Sequence, residues 1–179
     1  MFSAGGGRFY QPSVQYLSPT KTDRPIYTVT ADVIFGRNVT RNGWLVVGGG
    51  VTVTRAWGEI IRLEGSISDG TFRSATYGSS ATGVGASGLL RFEPFDIKGW
   101  RFGIETLGGF IIYSNHFPAG GDIYNFMGRI GPTVGVELST DTHLRLSSHW
   151  MHVSNGQGLG PFNPSYEAMG AGLGLVRYF

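Results

Sequence analysis

His152, Ser154 and Glu167 are the residues of this chain whose types and spacing could do chemistry. The run His149-Trp-Met-His152-Val-Ser154-Asn155 is followed thirteen residues after Ser154 by Glu167. A serine hydroxyl is a poor nucleophile until a base removes its proton. An imidazole is the better base when a carboxylate orients it and stabilises the imidazolium. A base, a hydroxyl and a carboxylate together are the inventory of a serine hydrolase.

Those groups can act together only if the backbone turns them the same way. On a β-strand, residues two apart share a face. His152 and Ser154 then project with Trp150, Ser148, Leu146 and Leu144, while Val153, Met151, His149, Ser147, Arg145 and His143 take the other side. Glu167 shares a face with Met169, Ala171, Leu173 and Leu175. If the two strands pair antiparallel around a loop near 155–165, Glu167 returns beside His152, and all three groups meet at one rim on apolar faces.

Strand-like stretches bounded by Gly, Pro, Asn and Asp recur along the chain, at about 8–17, 26–36, 44–57, 59–69, 83–95, 99–114, 123–138, 142–154 and 166–179. No stretch of useful length has the 3.6-residue period of an amphipathic helix. The expectation is one all-β domain over 1–179, a transmembrane antiparallel β-barrel of eight strands, with ten as the alternative. Nine candidates imply that two belong together or that one is irregular. The region 37–82 is longer than eight strands require, so it is either a large outer loop or extra strands.

The membrane assignment rests on which face carries what. In 99–114, Trp100, Phe102, Ile104, Phe110 and Ile112 oppose Arg101, Glu105 and several glycines; in 123–138, Phe126, Ile130, Val134 and Val136 oppose Arg129 and Glu137. Charges beside glycines suit a narrow lumen filled by ion pairs, here expected as Arg101 with Glu105, Arg129 with Glu137 and Arg91 with Glu93. Bulky apolar residues suit lipid. Thirty glycines with 13% aromatic and 15% charged residues fit glycine-rich strands with aromatic belts, for which Trp44, Trp57, Trp100 and Trp150 are the candidates. A mean hydropathy of −0.01 does not argue against this, because a spanning strand needs only about 9–11 residues of alternating polarity. A net charge of +2 offers no basic patch for nucleic acid, and with no Cys there is no cysteine chemistry.

The opening Met-Phe-Ser-Ala-Gly-Gly-Gly has neither the basic region nor the apolar core of a secretory signal, so we expect the chain to begin at its mature end. The terminal Tyr178-Phe179 is similar to the sorting signal of outer-membrane barrels, although Arg177 stands where that signal prefers an apolar residue. With the C-terminus periplasmic, the last strand runs downward and loop 155–165 faces outward. His152, Ser154 and Glu167 then meet the outer leaflet.

Met151-His152-Val153-Ser154-Asn155-Gly156 and Asn163-Pro-Ser-Tyr-Glu167, with Phe126-Met-Gly-Arg129-Ile-Gly131 upstream, resemble the PagL family of outer-membrane lipid A 3-O-deacylases over roughly the last 90 residues. The resemblance implies an eight-stranded barrel in the bacterial outer membrane, with Ser154 as nucleophile, His152 as base and Glu167 as its orienter. It further implies that Asn163 serves the oxyanion hole, with a backbone N–H at Gly156 or Gly158 assisting. Trp150 and Asn155 are the expected substrate contacts. Lipid A, or the lipopolysaccharide that carries it, is the implied substrate and outer-membrane lipid the surroundings. No cofactor or metal is implied, and a homodimer is an allowed assembly.

Weaker motifs have plainer explanations. Gly83-Val-Gly85-Ala-Ser-Gly88 has the letters of a dinucleotide fingerprint, but no helix follows it. His149 and His152, three apart on a strand, face opposite ways and make a poor zinc pair. Asn38-Val-Thr40 matches a glycosylation acceptor by letters alone. Two other functional classes compete with the esterase: a structural or adhesive barrel whose polar rim meets headgroups, and a soluble lipocalin-like carrier with its apolar face inward.

Overall fold

The structure is a computed structural model that describes residues 7–66, 68, 70–156 and 163–179. Eight antiparallel strands follow in chain order: β1 (Arg8–Pro19), β2 (Ile26–Asn38), β3 (Leu45–Ser66), β4 (Thr71–Ile97), β5 (Trp100–Tyr113), β6 (Tyr124–Ser139), β7 (Thr142–Ser154) and β8 (Tyr166–Tyr178). Each pairs with the next, and β1 pairs with β8, closing the sheet into a barrel with no free edge.

Eight strands, not ten, form the wall. The stretches 44–57 and 59–69 are one strand, β3, and β4 begins at Thr71, well before the expected 83. The apparent break falls at Gly58, which has φ +151° and pairs with Ile26 where β2 begins. Beyond it, β3 and β4 pair only with each other, from Gly58 with Ser79 to Ser66 with Thr71. Of region 37–82, residues 45–57 are wall, and the part beyond Gly58 is neither a loop nor extra wall but a hairpin projecting past the barrel. Its residues hide from pattern reading because both faces have left the bilayer and alternation is no longer enforced.

The register fixes the barrel's geometry. Moving sideways from Glu167, the partners are His152, Gly128, Gly108, Gly88, Gly49, Phe35 and Tyr10, and Tyr10 pairs back onto β8 at Arg177. One circuit thus returns to β8 ten residues further along it, from 167 to 177. Eight strands with that stagger tilt by about 40° to the barrel axis.

Loops at the two ends differ in length. One end has the connections 39–44, 98–99 and 140–141; the other has 20–25, 67–70, 114–123 and 155–165. The two-residue turn Lys98-Gly99 has positive φ at both positions (53° and 84°), the backbone that joins twisted strands through two residues and the reason a glycine stands there. Two of the three connections at the first end are two-residue turns, whereas the second carries loops 114–123 and 155–165 and the projecting β3–β4 hairpin, an asymmetry like that of membrane barrels, so the second end is called external.

The interior is solid. Midway, Arg129 makes a two-pronged pair with Asp32 (2.6 and 2.8 Å) and also bonds Gln15 and Thr30. Arg91 pairs with Glu105 at 2.8 Å and with Gln11, Arg145 pairs with Glu93, and His149 lies 3.2 Å from Glu105. The expected ion-pair lumen is present, but its pairings are not the expected ones. Arg101 meets Asp96 instead of Glu105, and Glu137 is exposed. Partners come from other strands, the adjacent one for Arg91 and Arg101 and across the lumen for Arg129 and Arg145, whereas the sequence suggests neighbours along one strand. Apolar clusters plug the lumen above and below: Leu17, Ile60, Ile111, Phe117, Met151 and Tyr166 among others at the external end, and Phe9, Ile34, Val46, Leu89, Leu107 and Val176 at the other.

Outside, the polarity inverts. Val33, Phe35, Val51, Val84, Phe110, Ile112, Phe126 and Ile130 are exposed on the barrel wall, while Arg91 and Arg129 are buried within it. So large an apolar surface is incompatible with a monodisperse soluble protein, which removes the lipocalin-like carrier. Aromatic residues mark both boundaries. Tyr16, Tyr27 and Trp57 stack at 6.1 to 6.5 Å near the external end, and Trp44 lies edge-on to Phe92 at 5.1 Å near the other. Trp150 falls with the external group and Trp100 with the opposite one, as the sequence suggests.

Candidate active site at the external rim

β7 rises to the external rim and ends at Ser154; β8 leaves the rim at Tyr166. Between them His152 and Glu167 are direct register partners. The buried residues of β7 are His143, Arg145, His149, Met151 and Val153, so Trp150, His152 and Ser154 face outward. His149 meets Glu105 and Gln15 in the lumen, on the opposite side of the wall from His152.

His152 Nδ1 lies 3.5 Å from Glu167 Oε1. That is longer than a charge-assisted bond, as catalytic contacts often are without substrate. With Nδ1 directed at the carboxylate, Nε2 is the ring nitrogen left to take a hydroxyl proton. Ser154 stands two residues, about 6.6 Å, further along the same face. The Trp150 ring stacks on that of His152 with centroids 6.0 Å apart and planes at 28°, limiting how the imidazole turns. Imidazole and carboxylate are each partly exposed, with 38% and 22% of their side-chain surface accessible.

The turn after Ser154 is held from two sides. The backbone N–H of Asn155 donates to Asn163 Oδ1 at 3.2 Å, tying Asn163 to the strand end that carries Ser154. With its oxygen accepting there, the amide's remaining capacity is donation through its NH2. The Asn155 side chain is buried and donates to Asp122 Oδ2 at 3.0 Å, so it braces the rim against loop 114–123 and does not present itself to the surface. Gly156, at φ +74°, lets the chain turn in a conformation that other residues adopt at a cost. Gly158 lies outside the described residues.

Two features of the site were not anticipated from sequence. The first is Lys21, whose Nζ is 2.8 Å from Glu167 Oε1. It is far from Glu167 along the chain and is brought there by closure of β1 on β8. The available signal was the polar run Thr20-Lys-Thr-Asp-Arg24 between the first two strands, on the external side.

The second is a row of glycines. Gly128, Gly108, Gly88 and Gly49 follow His152 in register across four strands, and all face outward. None is forced by crowding: a Cβ on Gly108 or Gly128 would meet nothing within 4 Å, and on Gly88 or Gly49 nothing nearer than 3.8 and 3.5 Å. The row is a furrow in the lipid-facing wall. Phe126 and Phe110 bound it on the external side and Ile130, Thr106 and Leu90 on the other, where a cavity of about 90 Å³ opens between them. Four strand spacings make it about 19 Å long. Because the row spirals away from the rim, it descends by about 12 Å along the wall.

No family model matches the chain, and no curated protein matches it. Among solved structures it is similar to the beta domain of the Bordetella autotransporter BrkA, at 11% identity and a TM-score of 0.33, covering 97% of this chain and 99% of that one. The described chain is an all-β, closed, eight-stranded antiparallel barrel.

Proposed function

We propose that the protein is an outer-membrane esterase that removes the ester-linked acyl chain at the 3-position of lipid A, working at the outer leaflet. The observation that carries this is the position of Ser154, His152 and Glu167 on the lipid-facing side of the external rim, where His152 and Glu167 are paired. The furrow supports it: it begins beside His152 and descends into the bilayer, as an acyl chain does when its ester is at the headgroup boundary. The solid lumen argues against a pore, since ion pairs fill it and apolar clusters close both ends.

Each group has a role in such a reaction. Ser154 Oγ attacks the ester carbonyl while His152 takes its proton. The NH2 of Asn163 stabilises the oxyanion, with a backbone N–H of the following turn. The intermediate collapses, the sugar's 3-hydroxyl leaves with the proton held by His152, and the acyl group remains on Ser154. Water, deprotonated by the same imidazole, releases it as the fatty acid. Glu167 orients the ring and offsets its transient charge. Trp150 lines the entrance, and Asn155 braces the rim.

Mass spectrometry of lipid A after incubation with refolded protein tests this. Loss of one acyl chain with the wild type and not with Ser154→Ala is the expected result. The alternative, a non-enzymatic structural or adhesive barrel, is favoured by one observation: Glu167 lies closer to Lys21 than to His152, as in a simple surface ion pair. On that alternative both proteins leave lipid A untouched.

A further inference from the structure

Loop 20–25 is stitched to the start of β8 at three points. Thr20 N donates to the Glu167 carbonyl at 3.1 Å, Arg24 donates to the Ser165 carbonyl at 2.5 Å, and Lys21 Nζ meets Glu167 Oε1 at 2.8 Å. That same Oε1 faces His152 Nδ1 at 3.5 Å. A glutamate at a rim has three rotatable side-chain bonds, and a contact of 3.5 Å is too long to hold them against the entropy of their free rotation. The lysine contact is short enough, and its own backbone is fixed by the bond from Thr20.

We infer that Lys21 is a positioning residue for the His152–Glu167 pair, holding the carboxylate where it can orient the imidazole. This rests on the esterase function proposed above. Lys21 touches no reacting atom and acts through Glu167. Side chains half a barrel wall away are not needed: the closure of β1 on β8 supplies the lysine to a hairpin that lacks one of its own.

A lysine at the rim could instead bind an anionic headgroup, and kinetics separate the two roles. Positioning changes kcat, because it matters when charge develops on His152; a substrate contact changes KM. The test uses full-length protein in detergent micelles with lipid A, alongside the rate at which a fluorophosphonate labels Ser154. Variants are Lys21→Met, Lys21→Arg, Glu167→Gln, the double Lys21→Met/Glu167→Gln, and Lys98→Met at the opposite end of the barrel as control.

The expected result is a kcat about tenfold lower for Lys21→Met with KM unchanged, below the roughly 10²-fold that a 1 Å misplacement can cost because the His152 contact is weakened and not removed. Labelling slows in parallel, Lys21→Arg restores most of both, and Lys21→Met has no further effect once Glu167 is Gln. A Lys21→Met protein with full kcat, or with only KM raised, overturns the inference and leaves the esterase standing. A wild type that neither turns over lipid A nor labels faster than Ser154→Ala overturns the esterase, and the role of Lys21 with it.

Discussion

At the scale of single residues the proposed mechanism divides the site into groups that make or break bonds and groups that aim them. On the proposed mechanism Ser154→Ala and His152→Ala remove the nucleophile and the base, so deacylation of lipid A should fall to background in both. Glu167→Ala should keep measurable activity, because orientation is lost but the base remains. Turnover assays separate these outcomes, and equal loss in all three would show Glu167 to be more than an orienter. Asn163→Ala should lower kcat by about 10²-fold or more while the barrel still folds, the cost of removing one oxyanion donor. The meeting of His152 with Glu167, and the face that Ser154 shares with His152, were legible in the sequence because all three sit on one hairpin, where alternation decides what meets what. Lys21 was not, since only closure of the whole sheet brings it to Glu167. Asn155 misled for a related reason: its polarity suggests exposure, but the turn directs it inward to Asp122.

At the scale of elements, the glycine row ties β3 through β6 to the chemistry on β7. In sequence only Gly88 stood out, within a stray nucleotide motif; only the register aligns the four from His152 downward. Filling the furrow with a branched side chain needs no backbone rearrangement at Gly128 or Gly108, where there is room for the new atoms. Gly128→Val stands next to His152 and should impair turnover of every acyl ester. Gly49→Val, four strands away, should spare short-chain esters and slow long-chain ones, because only a long chain reaches that far. Rates for a homologous series of acyl esters measure this, and a Gly49→Val profile parallel to wild type would remove the furrow from acyl binding. The long β3–β4 hairpin is an element the sequence concealed. Beyond the wall only Ile60 packs into the apolar plug and alternation is otherwise not enforced, and Gly58 interrupts the pattern without ending the strand.

At the scale of the whole molecule, the barrel is a rigid wall that holds a surface site, and its rigidity comes from inside. The alternation of apolar and charged faces revealed the inverted polarity, and so the membrane, before any register was known. It could not reveal which charges pair, because the partners of Arg129 and Arg145 lie across the lumen, and that of Arg91 on the neighbouring strand is set by the register of the closed sheet. That pairing makes a prediction which the local pairing of Arg129 with Glu137 does not. Arg129→Ala should leave the Asp32 carboxylate buried and unpaired, at a cost of about 3–5 kcal/mol. Asp32→Ala should cost a similar amount from the other side, and Glu137→Ala, at an exposed position, very little. Removing both Arg129 and Asp32 should cost less than the sum of the single changes, since neither partner is then stranded. Urea unfolding of the refolded barrel in detergent gives these free energies. Strictly additive losses would mean that the two side chains are not coupled, and with them would go the view of the lumen as one network. Molecules of any of these variants that do fold should still deacylate lipid A, because the site faces outward and the network is sealed within.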